Sequence, residues 1–468
     1  ADLVRNAASA APEGVGLRDP ASGRVVTWAN LDELVDRAAA GFVSLGLVAG
    51  YRVLLAAGNS IEFAASYLGA LRAGLVVVPV NPRSTTREFA TLIIDSGPRV
   101  ILADGQTVDR IRKAVAGLDE ANAHGRGPDV DPKVVVLDGV ALGDERRWSE
   151  LIAAQQPPAP PPPDAEALAV LLYTSGTSGN PRGAMLTHRA LLANVNQVAN
   201  NDGSMIGPED VVLGLLPLFH VYGLNAVLGQ VVNQQAELVL ANGFDPVGTL
   251  DLIEAEQITV LPLAPVVIAH WMSEVTADID LAAKLASVRL VLCGSAPLAP
   301  DLSRAFTQRT GLVVHQGYGL TEAAPVVSLT LGSEDPPSGT VGRLVPGVEV
   351  RLVDESGSAP ESEDAGEILI KGDNLFSGYW PDGADGPGPE GWWATSDVGI
   401  LDGEGDLRLV DRRNDLIIVS GFNVYPREVE EALNAIPGVL EAAVMGVPDD
   451  VTGEAVKALV VTAAEGGP

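Results

Sequence analysis

Short runs that are apolar throughout alternate with segments whose apolar residues recur at helical spacing. "RVLLAA", "LVVVPVNP" and the end of "EFATLIIDSGPRVILA" have no polar face. A strand of that kind must be covered on both sides, which only a parallel sheet with helices over it provides. Ahead of them, "TWANLDELVDRAAAGFVSLG" sets Leu31, Leu34, Val35, Ala38 and Phe42 on one helical face, with Asn30 able to cap its start. The rhythm continues through "PKVVVLDG" and resumes from "LAVLLY" to "VRLVLCGSAPL". The proline run in "QQPPAPPPPDAEA" (155–167) reads as an extended polyproline II connector between two similar halves. From about Thr340, short strands lie between Gly, Asp and Pro turns, which predicts a small β-barrel or meander. After Arg412 a strand, a helix with Pro426 in its first turn, and further strands follow, the last ("AVKALVVTA") expected at a sheet edge. The expected fold is α/β. A large N-terminal domain over 1–411 holds α/β (βαβ) halves at about 1–155 and 165–335 and a small β-barrel at about 338–411. A small, mobile α+β C-terminal domain over 412–468 follows and is expected to be incomplete.

Composition narrows the function. A formal net charge of −31 with no lysine or arginine cluster speaks against nucleic acid as a partner, because phosphate backbones need a basic face. The single cysteine, Cys293, rules out an intramolecular disulfide and fits a reducing cytoplasm. No basic segment followed by a long apolar run opens the chain, so no signal peptide is expected. Val211–Ala236 contains no Asp, Glu, Lys or Arg and is long enough to span a bilayer. Pro217, His220, Asn225, Asn233 and Gln234 inside it argue instead for a buried strand, loop and helix, and against a transmembrane segment.

One loop carries chemistry. In "LLYTSGTSGNPRGAMLTH", Gly, Ser, Thr, Asn and Pro separate a buried strand from a helix, with Arg182 at the exit. Loops so short of side chain let backbone N–H groups approach phosphate oxygens. Thr174, Ser175, Thr177 and Ser178 add hydroxyls, and Arg182 adds a forked cation. The Walker arrangement of Gly-Lys-Ser/Thr is absent.

"YTSGTSGNPRGAMLTH" resembles the phosphate loop of the adenylate-forming superfamily, which includes acyl-CoA synthetases, luciferases and peptide-synthetase adenylation domains. "LPLFHVYG" (216–223), "GSAPL" (294–298), "QGYGLTEAAP" (316–325), "WWATSDVG" (392–399), "VDRRND" (410–415) and "SGFNVYPREVE" (420–430) match its other motifs in order. The pattern is most similar to that of fatty acyl-CoA ligases. The resemblance implies a two-step reaction. A carboxylate attacks the α-phosphate of ATP to give an acyl-adenylate and pyrophosphate, and the thiol of coenzyme A then displaces AMP. The attacking oxygen is already ionised, so positioning and charge stabilisation carry the first step.

On this resemblance Thr174, Ser175, Gly176, Thr177, Ser178, Gly179 and Arg182 hold the β- and γ-phosphates, and Glu322 binds Mg²⁺. Thr321 contacts phosphate. Gly294, Ser295, Ala296 and Pro297 form a slot beside adenine, with Gln316, Gly317, Tyr318 and Gly319 completing the nucleotide site and Tyr318 stacking on the base. Asp397 and Arg412 reach the ribose. His220, Val221, Gly294, Gly319 and Ala323 border the acyl pocket, and "LFHVYG" lacks the aspartate that would pair with an amino acid's amine. Asn414 is the hinge, and Ser420, Gly421 and Phe422 face the thiol tunnel. Thr174, Arg182, His220 and Glu322 are therefore the expected catalytic set, with ATP, Mg²⁺ and coenzyme A as cofactor and co-substrates.

Three departures stand out. Arg182 replaces the usual lysine, Ser396 replaces the glycine common before Asp397, and no Pro…Gly-Lys segment follows "GEAVKALVVTAAEGGP"; Lys457, in a strand, does not replace it. A natural chain continuing beyond Pro468 is the expectation. The alternatives are an acyl-AMP ligase delivering to a carrier protein and a non-catalytic ATP- or acyl-binding protein. Chain length of the acid and oligomeric state are left open.

Overall fold

The computed structural model describes residues 3–123, 131–153, 164–174, 181–203, 205–276, 279–333, 336–337, 339–354, 356–360, 364–412, 417–419, 422–424, 426–434, 436–449 and 453–462. They fall into two compact units. The first comprises 1–335, 345–347 and 373–386; the second comprises 336–344, 348–372 and 387–468.

The first unit is built on two sheets with helices packed over them. One has the strand order Arg146–Arg147, Lys133–Val136, Val100–Ala103, Arg52–Ala56, Val76–Pro79, Leu168–Thr174 and Arg182–Thr187. It is parallel except for the last pair, a hairpin that runs antiparallel. The other runs Val326–Leu329, Val314–Gly319, Leu290–Cys293, Val260–Leu263, Val211–Gly214, Glu237–Leu240, Val15–Asp19 and Arg24–Thr27. The first and last pairs of this series are antiparallel and the others parallel. The sheets thus do not divide the chain at the proline run. The N-terminal hairpin joins the second sheet beside Glu237–Leu240, and the two strands after the run join the first. A local hydrophobic pattern records which residues are buried but not which sheet buries them, so it does not mark the exchange.

Helices start where short hydroxyl or carboxylate side chains meet free N–H groups. Ser60 caps Ile61–Arg72, and Thr85 with Glu88 forms a capping box on Thr86–Ser96, which ends at Gly97 in the left-handed region. The cap of Trp28–Ser44 is Thr27, whose hydroxyl accepts from the Asn30 N–H at 3.3 Å; Asn30 itself lies inside the first turn. Val211–Ala236 is the expected strand, loop and helix, with the helical part wound as a π-helix over Tyr222–Gly229 and as an α-helix over Gln230–Gln234. Among the described residues no helix is long and apolar enough to cross a membrane. The cores lie between sheets and helices, one around Leu54, Phe89 and Ile101, the other around Ile268, Trp271 and Phe306.

In the second unit, Glu349–Val353, Gly366–Lys371, Trp393–Leu401, Leu407–Arg412 and Thr340–Leu344 form antiparallel pairs in that order. They do not close into the expected β-barrel, because the strands at the two ends of this series do not pair with each other. Short strands with one buried face give the same sequence pattern in an open sheet as in a barrel. A second sheet has the order Phe422–Val424, Ile417–Val419, Gly453–Thr462 and Val439–Asp449, with the helix Pro426–Asn434 after its first hairpin. Gly453–Thr462 is interior here, not an edge, since it forms a long antiparallel ladder with Val439–Asp449 and also meets Ile417–Val419.

Candidate functional site

The hairpin Leu168–Thr174 and Arg182–Thr187 delivers the ends of the glycine-rich loop to one place, with Thr174 opposite Arg182 in the ladder. Ser175, Gly176, Thr177, Ser178 and Gly179 lie outside the described residues. A second segment is stitched along the hairpin's outer strand. Met185 N–H donates to Gly378 O at 3.1 Å, Ser377 N–H to Met185 O at 2.9 Å, and Trp380 N–H to Gly183 O at 2.8 Å. The turn after it needs glycine, because Gly378 has φ 88° and a Cβ there would sit 2.1 Å from Gly383 O. This pairing sets Tyr379 beside Arg182. The guanidinium carbon stands 3.7 Å from the centre of the Tyr379 ring, a close cation–π contact, while Nη2 meets Asp385 Oδ2 at 2.5 Å.

The other side of Tyr379 faces Glu322. Strand Val314–Gly319 ends in a tight turn, where Leu320 N–H donates to Pro325 O at 3.0 Å and a Cβ on Gly319 would lie 2.4 Å from that oxygen. The short 3-10 helix Thr321–Ala323 follows. Its carbonyls are held from outside: Phe376 N–H donates to Glu322 O at 2.8 Å, Asn374 Nδ2 to Ala323 O at 2.7 Å, and Asn225 Nδ2 to Ala324 O at 2.6 Å. Glu322 is only 8% exposed, and its Oε1 accepts from the Tyr379 hydroxyl at 2.6 Å. No described lysine or arginine pairs with it. A buried carboxylate without a cation is a costly arrangement unless an ion completes it. One carboxylate oxygen beside phosphate-binding groups is what Mg²⁺ takes from a protein when nucleotide supplies the remaining oxygens, so these residues fit the metal.

A third element enters from the adjoining strands of the same sheet. Gly294 follows Leu290–Cys293, its N–H bonded to Leu263 O at 3.1 Å, and Ser295 has φ 75°. Ser295, Ala296 and Pro297 are exposed, and the neighbouring strand brings Gln316 opposite Cys293. Gly317 and Gly319 lie further along that strand, and the Tyr318 ring between them is buried. Opposite the slot, Tyr222 is packed so closely that a Cβ on Gly294 would lie 3.1 Å from its ring. His220 is exposed, Val221 and Ala323 are buried, and the Tyr222 N–H donates to His220 Nδ1 at 3.3 Å. Although His220 keeps a solvent-facing side, the protein packed around its ring desolvates it and holds its pKa below the ordinary value.

Residues 4–380 match the AMP-binding enzyme family, and 428–468 match the AMP-binding enzyme C-terminal domain. The chain belongs to the AMP-binding enzyme family. It is an acid–thiol ligase of the adenylate-forming superfamily. It is 34% identical over 458 residues to 4-coumarate–CoA ligase 3 of Oryza sativa subsp. japonica, covering 95% of this chain and 79% of that one. It is 33% identical over 467 residues to a long-chain-fatty-acid–CoA ligase of Salmonella typhimurium, covering 94% and 82%. Its fold matches that of ATP-bound MatB from Rhodopseudomonas palustris, with TM-score 0.87 at 30% identity over 99% of this chain and 89% of that one.

Within this AMP-binding enzyme the first unit brings Arg182 and Glu322 to Tyr379, with Thr174 opposite Arg182 in the hairpin, and Gly294 beside Gly317. In the second unit Asp397 and Arg412 are direct partners across two antiparallel strands, and Ser396 takes φ 64°. Asn414, Ser420 and Gly421 lie outside the described residues, and for Phe422 only its place in the strand Phe422–Val424 is described. Sequence reasoning missed Tyr379 and Asp385. The segment "GDNLFSGYW" reads as strand and turn, and only its Gly-Tyr pair, a large ring on a tight turn, signals more.

Proposed function

We propose that this AMP-binding enzyme activates a fatty acid with Mg²⁺ and ATP, releasing pyrophosphate, and passes the acyl group from the adenylate to coenzyme A. The observation that carries this reading is the buried Glu322 carboxylate, without an ion-pair partner among the described residues, bonded to the Tyr379 hydroxyl while the Arg182 guanidinium lies on the same tyrosine's ring. Together they supply a metal ligand and a phosphate clamp, the two groups that phosphoryl transfer needs from a protein when the nucleophile is already ionised. The glycine-rich loop supplies further phosphate contacts, and Gly294 and Tyr318 border adenine. The carboxylate enters past His220. The π-helix behind it turns Leu224, Ala226, Val227 and Leu228 inward as buried apolar side chains, suited to an uncharged acyl group. We place the reaction in the cytoplasm, in keeping with one buried cysteine whose thiol is pushed up to about 12 by desolvation.

Tyr222 favours a second reading. Its ring, tight against Gly294, narrows one side of the acyl entrance, which suits a flat aryl acid such as a hydroxycinnamate. Pyrophosphate exchange measured with saturated fatty acids of graded length and with 4-coumarate separates the two. Exchange that rises with chain length supports the first reading; exchange with 4-coumarate alone replaces it with the second. No exchange with any acid overturns adenylation.

His220 gives this reaction a pH signature. A neutral imidazole beside the incoming carboxylate adds no charge that would trap it, and the lowered pKa keeps the ring neutral to more acidic pH than a free imidazole. The acid limb of the exchange rate is therefore expected below pH 6.5. In His220→Phe that limb moves or disappears while activity near pH 8 persists.

A further inference from the structure

Arg182 and Glu322 carry opposite charges and flank the same side chain. Had they met, the guanidinium would close on the carboxylate as a bidentate pair, and neither would be free for an external ion. Tyr379 engages both through different parts of its side chain. Its ring takes the guanidinium at 3.7 Å and its hydroxyl takes Glu322 Oε1 at 2.6 Å. The ring is itself fixed on both sides. The Ala184–Tyr379 bridge and the Trp380-to-Gly183 bond tie its backbone to the strand that carries Arg182, and the Phe376-to-Glu322 bond ties the same segment to the acidic turn. Phe376 adds an edge-on ring contact at 5.0 Å.

We propose that Tyr379 is a positioning residue that keeps the phosphate-binding Arg182 and the metal-binding Glu322 apart while holding each in place, so that nucleotide and Mg²⁺ bind as one unit. The proposal rests on the reading of Glu322 as the metal ligand and Arg182 as a phosphate ligand. Its two parts separate by chemistry. The hydroxyl fixes the carboxylate, as partners of metal-ligating carboxylates do, and losing such a partner lowers metal affinity by about 10- to 100-fold. The ring is the spacer and the seat of the guanidinium. Asp385, exposed at the far edge, holds the other end of Arg182 at 2.5 Å until phosphate competes for it.

The test is calorimetric titration of the purified protein with ATP, with Mg²⁺ present and with EDTA in its place, for Tyr379→Phe, Tyr379→Leu and Glu322→Gln, with thermal melts confirming each fold. Tyr379→Phe should keep metal-free ATP affinity within about twofold and raise the Mg²⁺ concentration for half-maximal tightening about tenfold. Tyr379→Leu should lose the metal effect and also weaken metal-free ATP binding, because Arg182 is then free to close on Glu322. If Glu322→Gln leaves the Mg²⁺ dependence unchanged, the metal reading fails. If Glu322→Gln abolishes it while Tyr379→Phe and Tyr379→Leu both match the parent protein, the metal reading stands and the coupling fails. Equal weakening of metal-free binding in the Phe and Leu variants also overturns the proposal, since a spacer ring is kept in one and lost in the other.

Discussion

Glu322→Gln is expected to slow acid-dependent pyrophosphate exchange by about a hundred- to a thousand-fold, the loss usual when one preorganised electrostatic group is removed from a transition state. The substitution keeps the shape of the side chain and an oxygen able to accept from the Tyr379 hydroxyl, so the turn at 321–323 and its backbone bonds should persist. It removes the charge. A neutral amide binds Mg²⁺ far less well than a carboxylate, and a metal held by Glu322 would supply neutralising charge on the phosphates. Initial rates across a range of Mg²⁺ concentrations check this. The deficit should shrink at high Mg²⁺ if weakened binding dominates. A rate within threefold of the parent at every concentration would remove Glu322 from the mechanism.

Trp271→Ala is expected to have the largest effect on stability, about 3 to 5 kcal/mol. Trp271 is fully buried in the core below the second sheet, stacked on Phe306 with ring centroids 6.5 Å apart, edge-on to Phe244 at 6.3 Å. Its indole N–H donates to Pro246 O at 3.1 Å, which leaves that carbonyl without this donor after truncation. Urea unfolding followed by far-UV circular dichroism should show the first transition at markedly lower denaturant. Trp271→Phe, which refills most of the space, should recover more than half of the loss. At low temperature ATP affinity should be unchanged, because none of these atoms lies among the nucleotide-site residues.

Much of this was legible in the residues. Apolar runs such as "RVLLAA" and "VRLVLC" became buried parallel strands because nothing but cover on both faces satisfies them. The ordered motifs led to Arg182, Glu322 and Gly294. What escaped depends on partners distant in the chain. Val15–Asp19 pairs with Glu237–Leu240 through register, a property that no local pattern records. An open antiparallel sheet and a barrel share one alternation, so the residues do not distinguish closure from an open sheet. Thr27 caps a helix assigned to Asn30 because both side chains suit the role and only backbone geometry chooses between them. Tyr379 escaped for another reason: a tyrosine in a turn is ordinary until two charges are found on either side of it.

The exchange of strands between the two sheets has a consequence for biogenesis. Leu17 finds its neighbour in Leu238, so the amino-terminal hairpin emerges from the ribosome long before the strand that receives it exists. The first sheet likewise waits for the hairpin Leu168–Thr174 and Arg182–Thr187 to complete its far end. Splitting the gene at residue 164 would therefore not yield two self-sufficient pieces. Each fragment would hold strands belonging to the other, and only co-expression would let them reassemble.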